Sequence, residues 1–256
     1  MPTVDGLRLQ LLGTGNAAGL PVYGCHCTAC ERARADDRLR RRPCSALLSN
    51  GEQQVLLDAG LMDLAERFPL GSLSHILLTH YHPDHVQGLF PLRWGKNTRI
   101  PVISPDDAEG CADLYKHPGI LDFSQRAYPF RRFRLGGVHV TPLPLNHSKL
   151  TLGYCLEQGG KVFAYLTDTA GLQTEVQDFL HAAQPDYLVM DCSFPPATAT
   201  PRGHNDLNTL LALHESIQPK QTVLTHLDHT LDVWLLENPA ALPESVRVGF
   251  DGMVLA

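Results

Sequence analysis

The chain has 256 residues, 43% of them hydrophobic and 19% charged, enough to bury a substantial core in one large α/β domain and too apolar for a disordered or fibrous protein. Its formal net charge of −6 gives no overall electrostatic footprint for a polyanion, so nucleic acid is not an expected partner. Seven cysteines without a secretion signal, and no run apolar enough to span a bilayer, lead us to expect a cytoplasmic protein with no membrane partner, whose thiols are free or bind metal.

Residues 7–12 alternate apolar and polar side chains and end in Gly13-Thr14-Gly15, a strand running into a tight loop. No third glycine opens a helix at the spacing needed to cradle a pyrophosphate, so this is loop geometry and not a nucleotide fingerprint. The loop at 24–31 then holds Cys25, Cys27 and Cys30 at C-x-C-x-x-C spacing, which invites a tetrahedral zinc; three reduced, buried cysteines are the plainer reading. A fourth ligand would have to come from elsewhere, and a distant histidine would let zinc join two loops. A charged helical segment at 31–37 follows, and the basic run at 38–42 reads as a solvated face, with contact to an acidic substrate as the lesser reading.

Residues 46–49 and 54–58 read as strands paired through Asn50-Gly51. Asp58 closes the second of them. A carboxylate there can accept a hydrogen bond from the far nitrogen of a metal-bound histidine, or cap a helix from residue 61, and the two roles are compatible. The buried strand 76–78 leads into Thr79-His80-Tyr81-His82-Pro83-Asp84-His85, and the apolar segment 86–94 can start a helix. His80 and His82, two apart in extended chain, project to one side, while Asp84 and His85 fall at the turn, so one loop can serve two adjacent metals.

Further on, 102–104 reads as a strand, 106–115 as a helix and 119–128 as irregular. The hairpin 131–135/138–145 turns at Gly136-Gly137 and delivers Asn146-His147-Ser148-Lys149; the hairpin 151–157/161–166 turns at Gly159-Gly160 and delivers Asp168. A helix at 174–183 and a buried strand at 187–190 closed by Asp191 precede a proline-rich exposed loop, 195–204. A helix at 206–217 and a strand at 222–224 then deliver Thr225-His226-Leu227-Asp228-His229. No repeat or linker interrupts the chain, so residues 1–256 are expected to form one domain.

His80, His82, Asp84, His85, His147, Asp168 and His226 thus all follow apolar strands, and their order resembles the metallo-β-lactamase superfamily. That resemblance implies an α/β fold, an αββα sandwich of two mixed β-sheets flanked by helices. It also implies one metal on His80, His82 and His147, a second on Asp84, His85 and His226, and Asp168 bridging. No cysteine occupies these positions, unlike class B lactamases. The cysteine loop, Gln87-Gly88-Leu89-Phe90-Pro91-Leu92-Arg93-Trp94-Gly95, Pro144-Leu145-Asn146-His147-Ser148-Lys149 and Gly249-Phe250-Asp251-Gly252-Met253 further resemble the PhnP family of the carbon-phosphorus lyase pathway.

The family resemblance implies a structural zinc on Cys25, Cys27, Cys30 and His229, two active-site divalent ions (manganese, with zinc as the alternative) and a homodimer. It implies hydrolysis of 5-phosphoribosyl 1,2-cyclic phosphate to ribose 1,5-bisphosphate, a small-molecule phosphodiesterase reaction of phosphonate catabolism. Two metals can bridge and acidify a water for in-line attack. The departing sugar oxygen then needs an acid; His204 is the candidate, from its place in Pro201-Arg202-Gly203-His204 and from the resemblance, with a cap on the next helix as the other reading. Arg202 and Lys149 are candidate phosphate contacts. Alternatives are a tRNA 3′-end endonuclease, for which no basic arm is visible, and a non-catalytic scaffold of the same fold.

Overall fold

Most of the apolar runs read as strands are hydrophobic at successive positions, so both faces of each strand need cover. The computed structural model, which describes residues 6–198 and 202–256, meets that need with two stacked sheets, each carrying helices on its outer face. The first half of the chain supplies β1 (Arg8–Gly13), β2 (Ser45–Ser49), β3 (Gln54–Leu57), β4 (His75–Leu77), β5 (Ile100–Pro105) and β6 (Leu121–Ala127). The second half supplies β7 (Phe133–Leu135), β8 (Val138–Leu145), β9 (Thr151–Gln158), β10 (Lys161–Leu166), β11 (Tyr187–Asp191), β12 (Gln221–Thr225) and β13 (Val246–Val248), before β14 (Val254–Leu255) returns to pair with β1. The sheets run β14-β1-β2-β3-β4-β5-β6 and β13-β12-β11-β10-β9-β8-β7. Both are mixed, with antiparallel hairpins leading into parallel strands (β3 to β6, and β10 to β13).

Alternation along each strand sorts the core into layers. Leu48, Leu57 and Leu77 point between the sheets, where they meet Val140, Tyr154, Tyr165 and Val223. Their neighbours Leu47, Leu56, Ile76 and Leu78 point outward, against α2 (Leu64–Arg67), α3 (Pro83–Val86), α4 (Leu89–Leu92) and α5 (Ala112–Lys116). Leu166, Met190 and Leu224 do the same on the other side, beneath α6 (Thr174–Ala183), α7 (Leu207–Ile217) and α8 (His229–Glu237). A small satellite cluster joins α1 (Thr28–Ala35) to Val233 of α8 through Ala29, Cys30 and Ala33.

Several expectations are corrected. The segment 86–94 is no single helix: α3 and α4 are single turns separated by Gly88, where a Cβ would lie 2.0 Å from the Leu61 carbonyl oxygen. Helix α5 covers only the end of 106–115. The supposedly irregular 119–128 contains β6, an edge strand whose exposed Ser124 and Gln125 break any apolar alternation. Arg41, from the run read as solvated, is half-buried, its side chain only 9% exposed in a bidentate pair with Asp232 (2.7 and 2.8 Å), and also donates to Thr14 Oγ1 and the Gly249 carbonyl. None of the helices among the described residues is long and apolar enough to cross a membrane.

Candidate metal centre

Strands β3, β4, β8, β10, β11 and β12 all finish at one edge of the sandwich, and the chain delivers its acids and imidazoles there, just beyond or at those ends. Asp58, Asp168 and His226 each turn away from their strand with φ of +56°, +64° and +57°. Such left-handed backbone costs a non-glycine residue about 1–3 kcal/mol and persists where the surroundings over-determine it.

The ligand-bearing atoms fall into two groups around one carboxylate. Asp168 Oδ2 lies 3.6 Å from both His80 Nε2 and His147 Nε2, and these two nitrogens each lie 3.0 Å from His82 Nδ1. Asp168 Oδ1 lies 3.3 Å from His85 Nε2 and 3.4 Å from His226 Nε2, which stand 3.4 and 3.7 Å from Asp84 Oδ2. A tetrahedron of ligands around zinc at about 2.1 Å has edges of roughly 3.4 Å, so these spacings suit an ion in each group with Asp168 between them. Two buried atoms, His85 Nε2 and His226 Nε2, have no hydrogen-bond partner. Orphaned nitrogens aimed at a shared carboxylate are what a metal would satisfy.

Hydrogen bonds behind the cluster set the tautomers that ligation requires. His85 Nδ1–H donates to Asp58 Oδ2 (2.9 Å), and His147 Nδ1–H to the Gly203 carbonyl (2.9 Å). His80 Nδ1 lies 3.0 Å from Thr79 Oγ1, whose hydroxyl donates onward to Asp58. All three therefore present a bare Nε2. Asp58 is fully buried and spends its carboxylate on Thr79 and His85, while Asp63 occupies the cap position of α2, so the helix-cap role is not observed. Without a cation the group holds protons: burial would depress His85, but Asp168 and Asp58 carry it well above its ordinary value, and against the same burial Asp168 raises His226 to about 9. Burial keeps His80 well below its usual range.

The second cluster stands at the start of α8. His229 Nδ1 lies 3.5, 3.4 and 3.9 Å from the sulfurs of Cys25, Cys27 and Cys30. Zinc at about 2.3 Å from sulfur and 2.0 Å from nitrogen would set these atoms roughly 3.5 Å apart. Burial pushes the Cys30 thiol up to about 12, whereas hydrogen bonds from Cys27 lower Cys25. The donor set is soft and closed, which suits structural zinc.

A cleft of about 700 Å³ opens over the two-metal cluster, bordered by Asn146, Ser148, Arg202, Gly203 and His204 among others. His204 stacks on His226 with ring centroids 4.6 Å apart and donates from Nδ1 to Asp191 Oδ2 (2.8 Å). It does not cap α7; Asp206 does, accepting from Thr209 N. One of its nitrogens also lies within ligating range of Asp168 and His226. Lys149 is absent from the cleft lining, one residue beyond Ser148. Two residues were not anticipated. Asp191, fully buried, accepts from Thr169 N and His204, and Ser193 Oγ bridges Asp191 Oδ1 (2.9 Å) to His226 Nδ1 (3.0 Å). The only signal for Asp191 was a carboxylate closing a buried strand; Ser193 had none.

Comparison with known proteins agrees with this architecture. The octanoyltransferase of Porphyromonas gingivalis is 27% identical over 96% of this chain, which spans about half (51%) of that relative's length. Coenzyme PQQ synthesis protein B of Methylorubrum extorquens is 33% identical over 72% of each chain. The crystal structure of Zn(2+)-bound PqqB from Methylobacterium extorquens superposes with a TM-score of 0.80 at 22% identity, covering 97% of this chain and 99% of that one. A diphosphatase of the PhnP family superposes with a TM-score of 0.79 at 23% identity, covering 97% and 96%. Residues 53–227 match the Beta-lactamase superfamily domain, and with its two stacked mixed sheets and strand-end imidazole and carboxylate cluster the chain belongs to the metallo-β-lactamase superfamily.

Proposed function

We propose that the protein is a metal-dependent phosphodiesterase that opens a small cyclic phosphate, 5-phosphoribosyl 1,2-cyclic phosphate, to ribose 1,5-bisphosphate. The observation that carries this reading is the pairing of His80, His82 and His147 with Asp84, His85 and His226 across Asp168, all without sulfur, at the floor of an open cleft. Imidazole and carboxylate donors accept manganese as well as zinc. The Cys25, Cys27, Cys30 and His229 cluster supports the PhnP-like reading in particular.

His80, His82 and His147 would hold one divalent ion and Asp84, His85 and His226 the other. Two such ions supply Lewis acidity and an activated water at neutral pH. The chain's own part is positional and acid–base. Asp58, Thr79, Ser193 and the Gly203 carbonyl hold the ligating imidazoles in the required tautomers. His204 is tied through Nδ1 to Asp191, which leaves Nε2 as the atom that can carry a proton to the departing sugar oxygen. Elemental analysis, with hydrolysis of the ribosyl cyclic phosphate and of an aryl phosphodiester in manganese, tests the reading. Cyclic-phosphate opening with one tightly held zinc per chain supports it. Hydrolysis of the aryl diester alone, or preferential inhibition by tRNA precursors, moves the substrate elsewhere within the superfamily. No turnover at full metal occupancy favours a scaffold role.

A further inference from the structure

The loop that follows β1 lies against the segment that carries His226. Leu227 N–H donates to the Thr14 carbonyl (2.9 Å), and Asn16 N–H donates to the Leu227 carbonyl (3.1 Å). On the next residue, Asp228 N–H donates to the Ser193 carbonyl (3.1 Å). The chain is thus gripped from both sides directly after His226, whose left-handed backbone (φ +57°) is costly and persists where the surroundings over-determine it. Side chains complete the grip. Asn16 Oδ1 accepts from Ala18 N–H (3.0 Å), which fixes its Nδ2 as the donor to Asp228 Oδ2 (2.9 Å). Asp228 Oδ1 caps α8 by accepting from Thr230 N–H (2.9 Å), so the two carboxylate oxygens have separate duties. A bond from amide to carboxylate is charge-assisted and belongs to the stronger sort.

We propose that Asn16 is a positioning residue for the second metal position. Through Asp228 and Leu227 it keeps His226 in the backbone conformation that aims Nε2 at Asp84 Oδ2 (3.7 Å) and Asp168 Oδ1 (3.4 Å). The proposal rests on the reading of Asp84, His85 and His226 as a metal site. It does not pass through the cysteine cluster: His229 would hold the same loop by way of zinc, and the Asn16–Asp228 pair is a separate hold, made by hydrogen bonds alone. The pair also has a direction, with the donor on 16 and the acceptor on 228. Asn16→Asp sets two carboxylates face to face. Asp228→Asn, whose oxygen stays on the α8 cap, sets two amide nitrogens face to face. Combining the two substitutions restores one donor and one acceptor, and keeps the cap because asparagine caps a helix as well as aspartate does.

Two measurements that need no turnover test this on the full chain with its cysteine cluster loaded with zinc. The first is hydrogen exchange of the Leu227 amide, whose bond to Thr14 reports whether the loop is held. Exchange should be about tenfold faster in Asn16→Ala, Asn16→Asp and Asp228→Asn than in the wild type. The second is metal affinity by competition with a chelator. In the same three variants the ion on Asp84, His85 and His226 should bind roughly threefold to thirtyfold more weakly, with the His80, His82 and His147 position within about threefold of wild type and the zinc retained. The double variant should return both readouts to within about threefold of wild type, a rescue that general destabilisation cannot produce. Wild-type exchange or wild-type affinity in Asn16→Ala overturns the proposal, as do equal losses at the two positions or a double variant no better than the singles. A wild type that takes up no ion on Asp84, His85 and His226 fails the metal reading by itself; the exchange rates and their rescue then still decide whether Asn16 holds the His226 loop.

Discussion

Asp58→Asn separates the two metal positions by a single atom. The Asp58 carboxylate touches a ligand of each group: His85 directly through Oδ2, and His80 indirectly, because Thr79 Oγ1 accepts from His80 and donates to Asp58. An asparagine fits the same buried space, and its oxygen can keep accepting from Thr79 N (2.8 Å in the wild type) and from the Thr79 hydroxyl. Its amide nitrogen must then face His85 Nδ1. Two donors cannot face one another, so His85 moves its proton to Nε2, the atom that should ligate. Changes to such an outer hydrogen bond cost about 10–100-fold in metal affinity, or roughly 1.4–2.8 kcal/mol. The loss should fall on the ion held by Asp84, His85 and His226, with affinity at the His80, His82 and His147 position within about threefold of wild type. Competition with a fluorescent chelator, resolving two binding events, measures both. Two unchanged affinities, or equal losses at the two positions, would refute the tautomer argument.

Other expectations follow from the same geometry. Cys27→Ser should abolish zinc uptake by the cysteine cluster and, because His226 lies three residues before His229, weaken an ion on Asp84, His85 and His226 as well; unchanged metal content at that second position counts against the coupling. Metal uptake should release protons and tighten with rising pH: His226 in the metal-free chain is raised to about 9 and His85 is raised too, so below that point apparent affinity should climb by about tenfold per pH unit for each proton displaced. A flat affinity between pH 6 and 9 would contradict this. His204→Ala should slow the opening of a sugar cyclic phosphate by about 10²–10⁴-fold, with a smaller effect on an aryl diester whose leaving group needs no proton. A drop in metal stoichiometry would instead make His204 a ligand. Gly60→Ala should loosen the second ion while leaving the circular dichroism spectrum native, since its Cβ would lie 2.0 Å from the Asp84 carbonyl oxygen and displace that loop.

The His80–His85 stretch is legible from sequence because the chemistry is local: four side chains of ligand type follow one buried strand, and period-2 geometry already separates them into two groups. His147, Asp168 and His226 are legible for a related reason, each ending an apolar run. Asp191 and Ser193 are not, since their partners His204, Thr169 and His226 come from three other segments and meet them only when β10, β11 and β12 lie side by side. Arg41 misleads in the opposite direction. A run of arginines usually marks a solvated face, but Asp232, from α8, supplies the counter-charge that allows burial. Strand β6 is hidden because pairing along one edge of β5 demands little apolar surface of it.

The meeting of Cys25, Cys27 and Cys30 with His229 joins positions 199 to 204 residues apart. A zinc ion there closes a loop that takes in the whole two-metal cluster, and for a loop of that length a permanent cross-link lowers the entropy of the unfolded chain by an amount worth about 5 kcal/mol. Unlike a disulfide, such a closure forms without an oxidant and opens to a chelator. The unfolding temperature should therefore depend on zinc activity even when both positions of the histidine and aspartate cluster are filled, and a zinc-depleted chain should unfold earlier while retaining the same secondary structure beforehand.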